Sequence, residues 1–118
     1  MTRERDPHGR DPHQPGSGKN RIGLVVAHFP RALHAIGRVE TFLSETYGTD
    51  SWKTGTGALD RATDNMYLHL LGEQSGEQRD CKSELLHAAH AAREALARLE
   101  LMLVQQHWSR GISVPAQE

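Results

Sequence analysis

His87, His90 and Glu94 are spaced at i, i+3 and i+7, so on a helix they share one face. Two imidazoles and a carboxylate in that register can hold a divalent cation such as zinc. The plainer alternative is the solvated polar edge of a long helix. Asp80 and Ser83 stand just upstream, where either side chain can accept backbone N–H bonds and cap the helix that follows. A second candidate lies earlier in the chain. Asp60 and Asp64 are one helical turn apart, a spacing used by carboxylates that hold Mg²⁺, and Arg61 beside them can meet a phosphate through two N–H groups. An ordinary charged face, with aspartates near a helix start, explains the same residues. Glu40 falls one turn after Ile36, on the edge of an apolar stripe, and Glu45 lies further along the same segment. A carboxylate in that position takes a partner or a metal, or else leans into solvent.

Helices must position these groups. Pro30 suits the first residue of a helix, and Leu33, Ile36, Val39, Phe42 and Leu43 follow at three- and four-residue spacing up to a stop at Gly48. A polar loop over 49–57 surrounds the single aromatic Trp52. A second helix is predicted from about Ala58 to Leu71, with Gly72 as its stop. The stretch GEQSGEQRD reads as a loop. A long third helix is predicted from Ser83 to Trp108, with Leu85, Ala89, Ala92, Leu96, Leu99 and Leu103 facing inward, ended by Gly111 and Pro115. The apolar run Ile22–Val26 is too short for periodicity to assign; a half-turn and an extended lead-in both fit.

The fold class is therefore all-α, a small bundle of three main helices. Residues 1–20 hold no Val, Leu, Ile or aromatic residue and read as a disordered tail, with a helical domain over 21–110 and a short tail over 111–118. Gly18-Lys19 is no phosphate loop, because His13 stands where the motif needs glycine and no strand precedes it. Three helices give a thin core, and the alanine pairs Ala88-Ala89 and Ala91-Ala92 let helices approach closely, so completion of the bundle by a homodimer is expected. With 14 Lys+Arg against 15 Asp+Glu, the net charge of −1 argues against stable nucleic-acid binding. No apolar run spans a bilayer, the N-terminal residues lack the apolar stretch of a secretory signal, and one cysteine, Cys81, forms no internal disulfide. A cytoplasmic protein without membrane attachment is the expectation.

Several of these residues fall into an ordered series: FPRAL at Phe29–Leu33, Tyr47-Gly48 followed by Trp52, then Arg61, Asp64 and His69, then Gly72-Glu73, then Asp80, Ser83, His87 and His90. The series resembles the dATP/dGTP diphosphohydrolase domain of phages and their bacterial hosts, a MazG-like group of all-α nucleotide pyrophosphohydrolases, over about residues 29–103. The resemblance implies hydrolysis of a (deoxy)nucleoside triphosphate to the monophosphate and pyrophosphate, with Mg²⁺ (or Mn²⁺) held by acidic side chains on facing helices, in the host cytoplasm if the gene is a phage's. By motif position it implies Asp64 as a metal ligand, with Glu40 and Glu45 as the acidic residues of the first helix. Arg61 and His87 complete the catalytic set. His69, Ser83, Trp52 and Tyr47 fall on the substrate side, Trp52 either stacking on a base or plugging the core. The chain departs from the pattern at Thr46 and Leu68, where the family carries cations, at Glu84, where it carries glycine, and in lacking a Glu-x-x-Glu pair. Losing two cations weakens the hold on a triphosphate, so a non-catalytic nucleotide-binding or interaction module on the same fold is the alternative.

Overall fold

The computed structural model describes residues 19–109, the side chains of 107–109 excepted. Four α-helices lie in that span: α1 (Ile22–His28), α2 (Pro30–Tyr47), α3 (Ala58–Gln74) and α4 (His87–Ser109), with a short 3-10 helix at Ser51–Lys53. Among the described residues there is no strand, so the all-α expectation holds, with one helix more than predicted. The tails expected over 1–20 and 111–118 fall outside the described residues, apart from Lys19 and Asn20. No helix among the described residues is long and apolar enough to cross a membrane.

The run that periodicity left open is α1. It stops at Phe29, whose φ of −128° and ψ of 47° lie outside the helical region. The cause is Pro30, whose ring disfavours the α conformation in the residue before it while suiting the first position of the next helix.

The predicted stop of α3 at Gly72 is corrected: the helix runs through it to Gln74. Its true end is a Schellman motif. Gly76 takes a φ of 104°, its N–H donates to Glu73 O, and the N–H of Glu77 donates to Gly72 O at 3.0 Å. Gly76 supplies the positive φ that a stop of this kind needs. Gly72 is required for a different reason, described below.

The start of α4 is also corrected. The helix begins at His87, not Ser83, because residues 78–87 form a closed loop. Asp80 N donates to Leu85 O at 2.9 Å, His87 N donates to Gln78 O at 2.8 Å, and Arg79 and Leu86 make an antiparallel bridge. Asp80 and Ser83 do cap backbone N–H groups, but within this loop: Asp80 Oδ2 accepts from Lys82 and Ser83, and Ser83 Oγ accepts from Leu85.

α4 is the central helix, packed by α3 and by α2. Its buried face differs from the predicted leucine stripe. Leu96 and Leu99 are 50% and 53% exposed, whereas His87, His90, Arg93 and Glu94 are buried together with Ala89, Ala91 and Ala97. From α3 the buried residues are Ala58 and Ala62, and from α2 Val39, among the described residues the only large side chain with no exposure. Small residues on both sides bring the helix backbones close, and the polar groups fill the remaining space. The predicted solvated edge at His87, His90 and Glu94 is thus an interior face.

Glu84, in the closed loop, has a φ of 63°, in the left-handed region that suits glycine. That conformation costs a residue bearing a Cβ about 1–2 kcal/mol. Glu84→Gly is therefore expected to raise stability by roughly 0.5–1 kcal/mol once the unfolded chain's added freedom is subtracted. Urea denaturation measures it, and a destabilised variant contradicts the account of the loop.

Candidate functional site

The site forms where α3 ends, the loop closes and α4 starts. At about 100° per residue, Ala58, Ala62, His69 and Gly72 lie on one face of α3, the face toward α4. Gly72 gives His87 its place: a Cβ built on Gly72 would lie 2.8 Å from His87 Nε2, closer than any side chain allows. The ring of His87 therefore lies against bare backbone. Its Nε2–H donates to Glu77 Oε1 at 2.8 Å, and Glu77 is held there by the Schellman turn. Its Nδ1 lies 2.8 Å from Nδ1 of His69.

Asp80 completes the group. One ligand atom from each of His69, Asp80 and His87 lies within 4.8 Å of the others. Three observations make the group fit a divalent cation. The 2.8 Å between the two Nδ1 atoms is a hydrogen-bond length, and it is also near the ~3.0 Å between adjacent donors on an ion with ~2.1 Å bonds. The outer nitrogen of His87 is fixed by a carboxylate, the usual second partner of a ligating imidazole. Asp80 uses Oδ2 for two backbone N–H groups, which leaves Oδ1 as a donor.

The electrostatics favour the metal-binding form of two of these donors, His69 and Asp80. Burial lowers the pKa of His69, as does the positive charge of a protonated His87, against the opposing pull of Asp80. For Asp80 burial works upward, but the N–H groups of Ser83 and Lys82, together with His90 and His69, outweigh it and hold the carboxyl below its usual range. His90 stacks on His69 at 4.3 Å between ring centroids, with Phe42 edge-on to it. Ser83 Oγ, which accepts from Leu85 N–H, also hydrogen-bonds His90 Nε2 at 2.7 Å. Burial, and then the charge of a protonated His69, lowers the pKa of His90 to about 4.

A cleft of about 510 Å³ opens beside this group and reaches from His69, Asp80 and Lys82 to Tyr47 and Trp52. Trp52 is half-buried, with the Arg93 guanidinium 5.5 Å from its ring centre. Arg61 lines the cleft, but its two terminal nitrogens donate to Thr54 O and Thr56 O at 2.8 and 3.0 Å, so it ties down the loop before α3.

Among the residues singled out in the sequence, His69, His87 and Ser83 come together, and Tyr47, Trp52 and Arg61 share the adjoining cleft. Asp64, Glu40 and Glu45 belong to no group of three potential ligands among the described residues. Asp64 is exposed, and the five residues that separate it from His69 turn it about 140° away around α3. Glu40 instead accepts from Arg93 Nε at 2.7 Å, and Glu45 is exposed. His90 and Glu94 do not join His87 in a zinc site: one bonds Ser83 and the other touches Arg93. Two participants escaped the sequence reading. Glu77 sits in a polar run that gave it no distinction, and Arg93 follows His90 by three residues, a spacing that marked its side of the helix but not its burial.

Fold and site together define an all-α domain with a candidate metal centre beside a cleft. The chain belongs to the family described as dATP/dGTP diphosphohydrolase, N-terminal, whose model it matches over residues 10–110. No curated protein matches it, and no solved structure does.

His90 sets a pH dependence of stability. Its pKa is lowered from 6.5 in the free side chain to about 4 in the fold, so the unfolded chain binds the proton first as pH falls. The contribution is complete above pH 6.5 and is lost as pH drops to about 4. The loss is expected to reach roughly 2–3 kcal/mol. Urea unfolding at pH 7 and pH 4.5 in chelator measures it, with a shallower fall expected in His90→Asn; equal stability at the two pH values contradicts a buried neutral His90.

Proposed function

We propose that this domain is a metal-dependent hydrolase that splits a deoxynucleoside triphosphate of the dATP/dGTP kind into the monophosphate and pyrophosphate. The carrying observation is the convergence of His69, Asp80 and His87 at the end of a cleft that also presents Lys82, Tyr47 and Trp52. The family's name supplies the substrate class.

The metal is assigned to His69, Asp80 and His87 instead of Asp64, Glu40 and Glu45, because only the first set brings its donor atoms together. Two imidazoles with one carboxylate suit Mn²⁺ better than Mg²⁺, which keeps to oxygen ligands. When bound, the ion would neutralise phosphate charge and activate water. The chain's own groups do the positioning. Glu77 fixes the ring of His87, and Ser83 fixes His90 against His69. Lys82 brings a cation to the phosphate end, and Trp52 and Tyr47 offer flat surfaces for a base at the other end. Arg61 would reach a phosphate only by releasing Thr54 and Thr56, so its role here is to hold the loop beside the cleft.

Purified protein is expected to release pyrophosphate from dGTP or dATP with Mn²⁺, and faster than with Mg²⁺. Asp80→Asn should lower the rate roughly 100-fold or more, and Gly72→Ala, which pushes on the His87 ring, roughly tenfold or more. A folded sample inactive on all four deoxynucleoside triphosphates with both ions would falsify the reading. The second reading, a nucleotide-binding module without turnover, has support in Thr46 and Leu68, where the family's cations are missing. Thermal stabilisation by a nucleotide with no product would favour it.

We also propose that two copies pair. The support is Leu96, Leu99 and Met102, exposed along α4 with nothing among the described residues to cover them. Light scattering at micromolar concentration is expected to give the mass of two chains, and a clean monomer removes the pairing.

A further inference from the structure

Arg93 and Glu94 line the cleft but touch none of the candidate metal ligands. They are 7% and 5% exposed. Glu40 takes Arg93 Nε at 2.7 Å and so fixes the guanidinium, whose Nη1 then stands 3.5 Å from Glu94 Oε2. That is beyond the usual N–H···O range, and among the described residues Arg93 is the only hydrogen-bond partner of Glu94. A carboxylate so buried is destabilising unless its oxygens are satisfied. Among the described residues one stretched contact is all that reaches it, and the cleft it lines is the side from which a bound molecule can supply further donors. Burial pushes the Glu94 carboxyl upward, with Arg93 opposing, as expected for an acceptor kept short of donors.

Resting on the reading of the cleft as a nucleotide site, we propose that Arg93 and Glu94 recognise the Watson–Crick edge of guanine. That edge presents, in order, the O6 acceptor, the N1–H donor and the 2-amino donor. The protein presents a guanidinium donor followed by a carboxylate with two acceptor oxygens, the complementary order. Adenine reverses the first two positions: its 6-amino group would face the N–H groups of Arg93 and its N1 lone pair the carboxylate of Glu94. Donor would then face donor and acceptor face acceptor, a mismatch of the kind by which a polar site rejects an analogue. The placement fits as well. Glu94 follows His87 by seven residues, about 10 Å along α4, which is the length of a purine nucleoside. Trp52, on the same cleft, offers the aromatic surface for the base.

Calorimetric titration of the full chain with dGMP, dIMP and dAMP, without added metal, tests this apart from turnover. dGMP is expected to bind roughly tenfold or more tighter than dAMP. dIMP, which keeps O6 and N1–H but lacks the 2-amino group, should fall between them, and Glu94→Gln should bring dGMP and dAMP to within about threefold. Equal affinities in the wild type overturn the assignment. So does a dGMP preference that survives Glu94→Gln with an unchanged melting temperature. If that variant fails to fold, the wild-type order of the three monophosphates decides. Selective dGMP binding without any pyrophosphate release would remove the hydrolase reading and keep the base assignment. Turnover of dGTP and dATP with indifferent monophosphate binding would do the reverse.

Discussion

The ring of His87 is held from three directions, and most of the local structure serves that confinement. On one side Gly72 leaves a gap that no other residue could leave. On another, Glu77 takes Nε2, which turns Nδ1 toward His69. Glu77 can do so only because α3 ends in a Schellman turn at Gly76 instead of fraying. The closed loop over 78–87 then delivers Asp80 to the same point and starts α4 at His87 itself. Backbone geometry, not side-chain reach, sets the site, and this is how three donors from separate segments hold one register.

The interior carries unusually little apolar bulk. Alanines make up most of the buried apolar residues, with Val39 as the single fully buried large side chain, and the volume between helices goes to His87, His90, Arg93 and Glu94. Such groups add little net stability even when paired, because desolvation offsets most of the attraction. A chain selected for stability alone would place leucines there, and this one has leucines to spare: Leu68, Leu71, Leu96 and Leu99 are all at least half exposed. The allocation makes sense when the buried polar groups act on a ligand and the exposed leucines are left for another surface.

Much of the fold was legible in the sequence where its signals are local. Pro30 and Gly48 bracket α2, and the start of α3 was found at Ala58. The errors have a common cause. Gly72 was read as a stop because glycine usually marks a helix end, yet its lack of a Cβ is used against a residue fifteen positions away. Asp80 and Ser83 have capping chemistry, and they cap, but the closed loop that employs them depends on pairing between 78–80 and 85–87 that no helical periodicity signals. The leucine stripe of α4 looked like the core because hydrophobicity is the stronger signal on that helix. The face one third of a turn away was chosen by what α3 and α2 bring to it. The ordered family motif carried residues from several segments but not their arrangement. It named His69, Asp80, Ser83 and His87 within a longer series, but it put the metal on Asp64, which joins no group of three potential ligands among the described residues.

The buried face of α4 also explains why one helix can serve both ends of a ligand. His87, His90 and Glu94 recur at three- and four-residue steps and therefore run as a single line on α4, of which His90 and Glu94 line the cleft. One end of that line has the metal-ligand geometry, and the other has a carboxylate short of donors. Because both sit on the same rigid element, the distance between them is fixed by helical rise and not by loop conformation. On the reading proposed above, a nucleotide of the right length would meet both ends at once, whereas one with the wrong base edge would leave Glu94 short of donors even with its phosphates in place. If the proposed base contact holds, the helix that completes the candidate metal centre would also be the ruler that selects the substrate.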